Sequence, residues 1–161
     1  MAAYAIRTAD YTNPTDREAL LTLLDAYARD PMGGNQPLPD EVKARLCDAL
    51  AAFNGARSWL AWQGKRPVGL LNAFLGFSTF KATPLLNIHD LVVDSAWRGQ
   101  GIGRALLAQA QQEAERLGCC KLTLEVLSGN QRAQRVYAFF GFEHYVLDPQ
   151  AGRANLMQKW L

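Results

Sequence analysis

The chain has 161 residues, of which 49% are hydrophobic and 20% charged, and its formal net charge is +2. This composition is typical of one globular domain, and so small a charge without clustered like charges argues against nucleic acid or a membrane surface as a partner. The N-terminus lacks the apolar core of a signal peptide, and the longest apolar run, 68–77, is too short to span a bilayer, so we expect a soluble, cytoplasmic protein.

The first half of the chain reads as a strand, two helices and a strand hairpin. Helical spacing of apolar residues and proline-containing starts indicate the helices, while alternation and strand-forming residues indicate the strands. In chain order, the predicted elements are a strand at 4–9, helices at 14–30 and 39–53 with a Gly- and Pro-rich loop at 31–39 between them, and strands at 57–63 and 66–77 joined by a turn at Gly64 and Lys65.

The second half begins with a nearly continuous apolar strand and continues with alternating helices and strands. Neither a linker nor a repeat interrupts the series, so we predict a single α/β domain over residues 1–161. The predicted elements are a strand at 84–93, a helix at 102–117, a strand at 121–127, a helix at 130–140 and closing strands at 143–147 and 153–161, with a turn between the last two.

The segment "RGQGIG" at 98–103 joins the apolar strand to the following helix. Glycines at 99, 101 and 103 allow unusual backbone angles and close approach of a ligand to the main chain. The helix start offers unpaired amides and a positive dipole end, and Arg98 adds a cation. A tight strand-to-helix turn with no ligand is the plain alternative, but this combination favours a phosphate site.

Two nucleotide-binding patterns fit the loop poorly. A P-loop is excluded because no Gly-Lys-Ser/Thr follows. The dinucleotide pattern would need a third glycine, and Arg104 or Leu106 stands at that position depending on where the pattern begins. The loop also follows an antiparallel hairpin, which neither nucleotide fold has in that order.

At these residues the sequence resembles the GNAT superfamily of acetyl-CoA-dependent N-acetyltransferases. The family's Arg/Gln-x-x-Gly-x-Gly/Ala motif is matched by Arg98, Gly101 and Gly103. A second family motif after the fifth strand is matched by Asn130, Ala133 and Tyr137, followed by Gly-Phe at 141–142. The resemblance implies a mixed, mainly antiparallel twisted sheet of about six to seven strands with about four helices on its faces.

The resemblance also implies a donor site. Backbone amides of the glycine loop would hold the CoA pyrophosphate, strand residues would offer main-chain groups to the pantetheine arm, and Asn130 would hydrogen-bond the same arm. The cofactor-binding positions so implied are Leu91, Val92, Val93, Arg98, Gly99, Gln100, Gly101, Ile102, Gly103, Arg104, Asn130 and Tyr137.

Tyr137 is the residue that the resemblance places near the thioester sulfur as proton donor to the leaving thiolate. By pattern alone it is a core tyrosine in an apolar helical stripe. Its seven-residue spacing from Asn130 puts both on one helix face, roughly 10 Å apart. Asn130 is read both as a ligand and as an N-cap, and the two roles are compatible.

Aminolysis of a thioester requires a neutral amine, so a base is expected on the strand before the loop. His89 is a candidate catalytic base, standing where some polyamine-type relatives carry glutamate; a histidine that merely lines the sheet is the alternative. Strand alternation predicts that Asp90 points to the opposite face. Asp90 and Glu125 are candidate binding residues for a cationic amine, although a solvated carboxylate explains Glu125 equally well.

These residues predict acetyl transfer from acetyl-CoA to a primary amine of a small molecule or peptide, by direct attack in a ternary complex. The alternatives are a non-catalytic, regulatory CoA-binding module of the same fold and a dinucleotide-binding domain. The sequence carries no diagnostic acceptor residues. Three cysteines without disulfide or zinc spacing favour neither a redox role nor a metal site. A homodimer is the assembly that the resemblance implies.

Overall fold

The computed structural model of the protein describes residues 4–161. A sheet strand opens the described chain, and helices and strands then alternate in small groups. The elements are β1 (Ala5–Thr8), α1 (Pro14–Arg29), α2 (Asp40–Ala52), β2 (Ala56–Gln63), β3 (Arg66–Ser78), β4 (Thr83–Val93), a short 3-10 turn (Ser95–Trp97), α3 (Ile102–Arg116), β5 (Leu122–Leu124) and α4 (Gln131–Phe140).

One sheet holds all five strands found in the described residues, in the order β1-β2-β3-β4-β5. Neighbours from β1 to β4 pair antiparallel, whereas the short β5 runs parallel to β4. The β2–β3 hairpin turns at Gly64, whose φ is 58°. A mixed, mainly antiparallel sheet with four helices is therefore confirmed.

The expected count of six to seven strands is wrong. In the described chain, the strands predicted at 143–147 and 153–161 do not form, although the turn between them does, at 149–151. A strand needs a neighbour to satisfy its backbone groups and a surface to cover its apolar side chains. Leu147 is 74% exposed and Trp160 is 86% exposed, so these two apolar side chains are not covered as side chains on the inner face of a sheet would be.

Capping residues place the helix boundaries close to the predicted ones. Asn13 caps α1 by accepting hydrogen bonds from the amides of Thr15 and Asp16, at 2.9 and 3.2 Å. Asn130 caps α4 by accepting from the Ala133 amide at 3.1 Å. Gly141 ends α4 with a φ of 103°, a left-handed conformation that favours glycine.

The helix-pair face of the sheet is the face covered by α1 and α2. Register defines it: Ser58 and Leu60 of β2 lie opposite Asn72 and Leu70 of β3, and Val92 of β4 lies opposite Leu70. Burial of apolar surface between this face and the two helices holds them together. The buried residues of this cluster include Ala19, Leu20, Leu23, Cys47, Leu50, Leu60, Leu70 and Val92.

The α3 face is the opposite face of the sheet. Gly69 belongs to it, and a Cβ there would lie 2.9 Å from Ile102 Cγ2 and 3.0 Å from Leu106 Cδ1. The missing side chain thus lets α3 approach the centre of the sheet. The other buried residues of this face and of α3 are apolar, namely Trp59, Ala61, Leu71, Ala73, Leu86, Ile88, Leu107, Ala110 and Ala114.

Two compact units are distinguished along the chain. One ends at Leu124 and contains the sheet with α1 to α3, and the other comprises Glu125–Leu161 with α4. A single domain over 1–161 stays a prediction. Among the residues that the structure describes, no helix combines the length and apolar character that crossing a membrane requires.

Candidate active site

A β-bulge in β4 shapes the first part of the site. Asp90 pairs with Asn72 and Ile88 pairs with Ala73, so His89 is an extra residue between two consecutive pairs. In such a bulge the extra residue breaks the alternation of the strand. The ring of His89 lies edge-on to Phe74, with centroids 5.4 Å apart.

The predicted opposition of His89 and Asp90 is therefore wrong. Phe74 and Asn72 are two residues apart on β3, so both side chains belong to the helix-pair face. Asp90 lies directly opposite Asn72 and therefore shares that face. The two candidate residues lie on the same side of the sheet. Regular alternation was the wrong assumption, because it holds only where each strand contributes one residue per pair.

β5 leaves β4 at the same bulge. The parallel ladder between them covers Leu86–Ile88 of β4 and ends at the pair Ile88–Leu124. β4 continues through Leu91, Val92 and Val93, which pair with β3 but not with β5. The strand edge that the resemblance assigned to the pantetheine arm thus lies beyond the end of the ladder.

The glycine loop follows directly after β4 and the 3-10 turn. Gly99 and Gly101 have φ angles of 81° and 83°, and Gly101 is the N-cap of α3 without any side-chain capping hydrogen bond. A Cβ on Gly99 would meet no atom within 4 Å, so the space above the loop is open. Main-chain amides at an uncapped helix start, approached through open space, fit an anionic group.

The other predicted loop residues divide by role. Ile102 is buried in the α3 face, so only its backbone is available to a ligand. Gln100 is exposed in the loop, and Arg104 lies in the first turn of α3. Gly103 approaches β4, where a Cβ would lie 3.7 Å from Val93 Cγ2.

Arg98 ties the loop to two other parts of the first unit. Its Nε donates to the Val93 carbonyl at 3.0 Å, and its guanidinium lies 3.4 Å from Asp30 at the end of α1. The guanidinium predicted for the phosphate site is therefore hydrogen-bonded to β4 and forms an ion pair with the Asp30 carboxylate.

A polar chain that sequence reasoning missed crosses the helix-pair face. The Tyr11 hydroxyl lies 2.8 Å from Ser58 Oγ, Ser58 Oγ donates to Asn72 Oδ1 at 2.6 Å, and Asn72 Nδ2 donates to Asp90 Oδ2 at 2.9 Å. A lone asparagine within the apolar run at 68–77 was the available signal, because polar side chains are rarely buried without a partner.

The pKa values of two tyrosines are raised, those of Tyr11 in the chain and of Tyr27 near Asp90. Burial raises the pKa of Tyr11. Burial also raises the pKa of Tyr27 in α1, and the negative charges of Asp90 and Asp30 raise it further. Both hydroxyls therefore keep their protons at neutral pH, so Tyr11 can donate to Ser58 and Tyr27 to the Met32 carbonyl.

The second unit carries the remaining predicted residues. Tyr137 lies in α4, with its ring edge-on to Phe142 at 5.8 Å. Asn130 uses its side-chain oxygen to cap α4, which leaves its amide nitrogen to serve a ligand. Glu125 is exposed at the start of this unit. The roles assigned to these three residues stay predictions.

The residues of the first unit fit the CoA donor that the resemblance implied. The uncapped amides at Gly101 suit a pyrophosphate, and the β4 edge offers donors and acceptors to an extended amide-containing arm. Among the described residues no group of three or more His, Cys, Asp or Glu is arranged to hold a metal ion.

Comparison with known proteins gives several acetyltransferases among the relatives. The chain is 28% identical to mycothiol acetyltransferase of Geodermatophilus obscurus over 159 residues, which is 93% of this chain and 48% of that protein. It is 34% identical to thialysine N-epsilon-acetyltransferase of Bos taurus over 79 residues, which is 49% of this chain and 46% of that protein. The chain spans about half the length, or less, of several curated relatives.

The fold is shared with solved structures. Aminoglycoside N-acetyltransferase AAC(6')-Iy in complex with CoA superposes with a TM-score of 0.78 at 18% identity, over 99% of this chain and 96% of that one. Residues 18–142 match the model of the acetyltransferase (GNAT) family. This range includes the bulged strand, the glycine loop and α4. The chain therefore belongs to the acetyltransferase (GNAT) family, the class of enzyme that the two sequence motifs predicted.

Proposed function

We propose that the protein transfers the acetyl group of acetyl-CoA to a primary amine of a small molecule or peptide, by direct attack in a ternary complex. One observation carries this proposal. A strand edge that leaves its neighbour at a bulge leads into an uncapped helix start with two left-handed glycines. An extended arm ending in a pyrophosphate is the ligand that this succession fits.

The chain's own residues would act mainly by positioning and by electrostatics. Backbone amides at 99–103 would hold the pyrophosphate, and backbone groups of Leu91, Val92 and Val93 would orient the arm and polarise the thioester carbonyl. Bound acetyl-CoA would supply the activated acyl group. The chain would then manage two protons, one from the attacking amine and one for the departing thiolate.

Donor binding is tested by comparing two glycine variants. Gly99 and Gly118 both have positive φ, at 81° and 69°, and a Cβ on either meets nothing within 4 Å. Backbone strain is therefore matched, and only Gly99→Ala adds a methyl to the proposed phosphate site. We expect Gly99→Ala to weaken acetyl-CoA binding by roughly tenfold, or ~1.4 kcal/mol, in calorimetry, and Gly118→Ala to leave it unchanged.

The competing functions give different results in two assays. Acetyl-CoA should raise the melting temperature of the wild-type protein while NAD and FAD should not, and CoA should be released in the presence of at least one amine from a panel. Stabilisation by a dinucleotide instead would replace the donor assignment. Stabilisation by acetyl-CoA without transfer to any amine would favour a non-catalytic, regulatory CoA-binding module.

Tyr137 is proposed as the proton donor to the leaving thiolate. Tyr137→Phe removes only the hydroxyl, so we expect turnover to fall by roughly 10²-fold while acetyl-CoA binding stays close to that of the wild type. Steady-state kinetics and calorimetry measure the two quantities. Unchanged turnover would remove Tyr137 from the mechanism.

His89 is proposed as the base that accepts the amine proton. His89→Ala should abolish one limb of the pH–rate profile, because the group whose ionisation that limb reports would be absent. Persistence of the same limb would show that another group accepts the proton.

A further inference from the structure

The chain from Tyr11 to Asp90 follows the register of the sheet. Ser58 lies directly opposite Asn72, and Asn72 lies directly opposite Asp90, so three adjacent strands each contribute one member. Directly opposed side chains lie close enough for such contacts. The arrangement therefore follows from the strand register, in which Asp90 lies opposite Asn72 directly after the bulged residue His89.

Burying the polar side chains of this chain has a free-energy cost. Ser58 is 2% exposed and Asn72 is 3% exposed, and they lie beside Leu60 and Leu70 on the helix-pair face. Buried hydrogen-bonded polar groups contribute little net stability, and apolar residues of similar size often replace them without loss. A role in packing therefore does not account for the chain.

The hydrogen bonds run in one direction. Asn72 Nδ2 donates to Asp90, so Asn72 Oδ1 is left to accept the Ser58 hydroxyl proton. The Ser58 oxygen must then accept from Tyr11, whose hydroxyl is protonated. The opposite amide orientation would place an acceptor against an ionised carboxylate. Every donor thus points toward Asp90, as an anionic Asp90 requires.

Asp90 is the open end of the chain. It is only partly buried, and within the first unit its other oxygen, Oδ1, receives no hydrogen bond. His89 precedes it in the chain, and Tyr27 of α1 lies close enough for the charge of Asp90 to raise its pKa; Tyr27 is also near Asp30, which forms an ion pair with Arg98. The carboxylate is therefore fixed at Oδ2, while Oδ1 accepts no hydrogen bond from the first unit.

We propose that Ser58 and Asn72 are positioning residues that hold the Asp90 carboxylate to bind the ammonium group of the acceptor, which is a cationic amine. This inference rests on the proposed acetyl transfer. A carboxylate fixed by a donor at one oxygen presents its other oxygen in one orientation, which suits a single –NH₃⁺.

Asn72→Leu tests the inference by its effect on the two substrates. The assay uses a panel of cationic amines (spermidine, free lysine and a lysine-containing peptide) and an arylamine that is neutral at the assay pH. We expect the KM of a cationic acceptor to rise about tenfold or more, and the KM of acetyl-CoA to change less than twofold. Activity on the cationic amines should exceed that on the arylamine.

A double-substitution cycle separates action through Asp90 from a general disturbance. In an Asp90→Asn background, Asn72→Leu should change the acceptor KM less than twofold, because the carboxylate that it positions is already gone. Leu50→Ala, at a buried position of α2 in the same hydrophobic cluster but outside the chain, controls for lost stability. Ser58→Ala, one link further away, gives a smaller rise in acceptor KM and replaces Asn72→Leu if that variant does not fold.

Asn72→Asp adds a test that a structural role would not satisfy. It places a second carboxylate at the 2.9 Å contact with Asp90, where two like charges share one proton. The acid limb of kcat/KM for the acceptor should move up by about one pH unit or more, with activity recovering at high pH.

The outcomes distinguish the two levels of the proposal. Unchanged acceptor KM in Asn72→Leu, fully additive effects in the cycle, or preference for the arylamine would overturn the positioning role and leave acetyl transfer intact. Absence of acetyl-CoA binding, or of CoA release by the wild-type protein with every amine, would overturn both.

Discussion

The two faces of the sheet differ in the side chains that they bury. On the α3 face, Gly69 lets Ile102 and Leu106 pack against the centre of the sheet, and the buried residues are apolar. On the helix-pair face, an equally buried position holds Asn72, which belongs to a polar chain that ends at Asp90. Both faces therefore contribute apolar burial to the core, and the helix-pair face carries the polar chain in addition.

The difference shows why buried polar residues are informative. Burying an apolar side chain contributes about 1.5–3 kcal/mol, whereas a buried hydrogen bond contributes about 0.5–1.5 kcal/mol net. A face built for stability alone would resemble the α3 face. Departures from that composition on the helix-pair face therefore point to a requirement other than folding.

The largest expected effect tests the α3 face. Leu106 is fully buried, and Leu106→Ala should lower the free energy of unfolding by about 2–5 kcal/mol through lost contacts and a cavity. Urea denaturation measures the loss. Leu156→Ala, at a side chain that is 77% exposed, is the control and should change stability by less than about 0.5 kcal/mol.

A smaller effect is expected when the polar chain is replaced by apolar residues. The double substitution Ser58→Ala with Asn72→Leu should lower the free energy of unfolding by about 1–2 kcal/mol, because both partners of the buried Ser58–Asn72 hydrogen bond disappear together while the partly buried Tyr11 and Asp90 each lose one hydrogen bond. A loss as large as that of Leu106→Ala would erase the contrast between the two faces and make the chain a structural element.

The smallest effect concerns an ionic contact at the surface of the helix pair. Asp25 accepts hydrogen bonds from Arg29 and Lys43 and from the Leu38 amide, and these contacts lower its pKa to about 2. A folded-state pKa below the unfolded value of about 3.8 means that the contribution is present above 3.8 and lost as pH falls toward 2.

Asp25→Asn provides the comparison for this contact. The difference in urea midpoint between the wild-type protein and the variant should be small at pH 5 and should disappear near pH 2. A difference that is constant with pH would show that the contact acts through packing and not through charge.

The elements that could be predicted from the sequence are those whose signals are local. Apolar spacing and capping residues located the four helices, because a cap such as Asn130 acts within its own helix turn. The glycine loop was also predictable, since Gly99 and Gly101 adopt the positive φ angles that glycine favours.

The rest depended on contacts between distant segments. Tyr11, Ser58 and Asn72 are far apart in the chain, and only the strand register brings them to Asp90. The bulge has no local signal either, since His89 is extra only relative to β3. The closing strands predicted at 143–147 and 153–161 do not form, because an alternating pattern is not enough and a strand also needs a neighbouring strand to pair with.

The bulge also means that β4 is one residue longer than the stretch of β3 it pairs with. Removing His89 from the chain would make the Ile88–Ala73 and Asp90–Asn72 pairs adjacent, and the two would alternate as in a regular strand. Every other pairing of β4 would stay in register. His89 is therefore the one extra residue of this pairing, and its deletion would remove the candidate base while leaving the Asp90 carboxylate opposite Asn72.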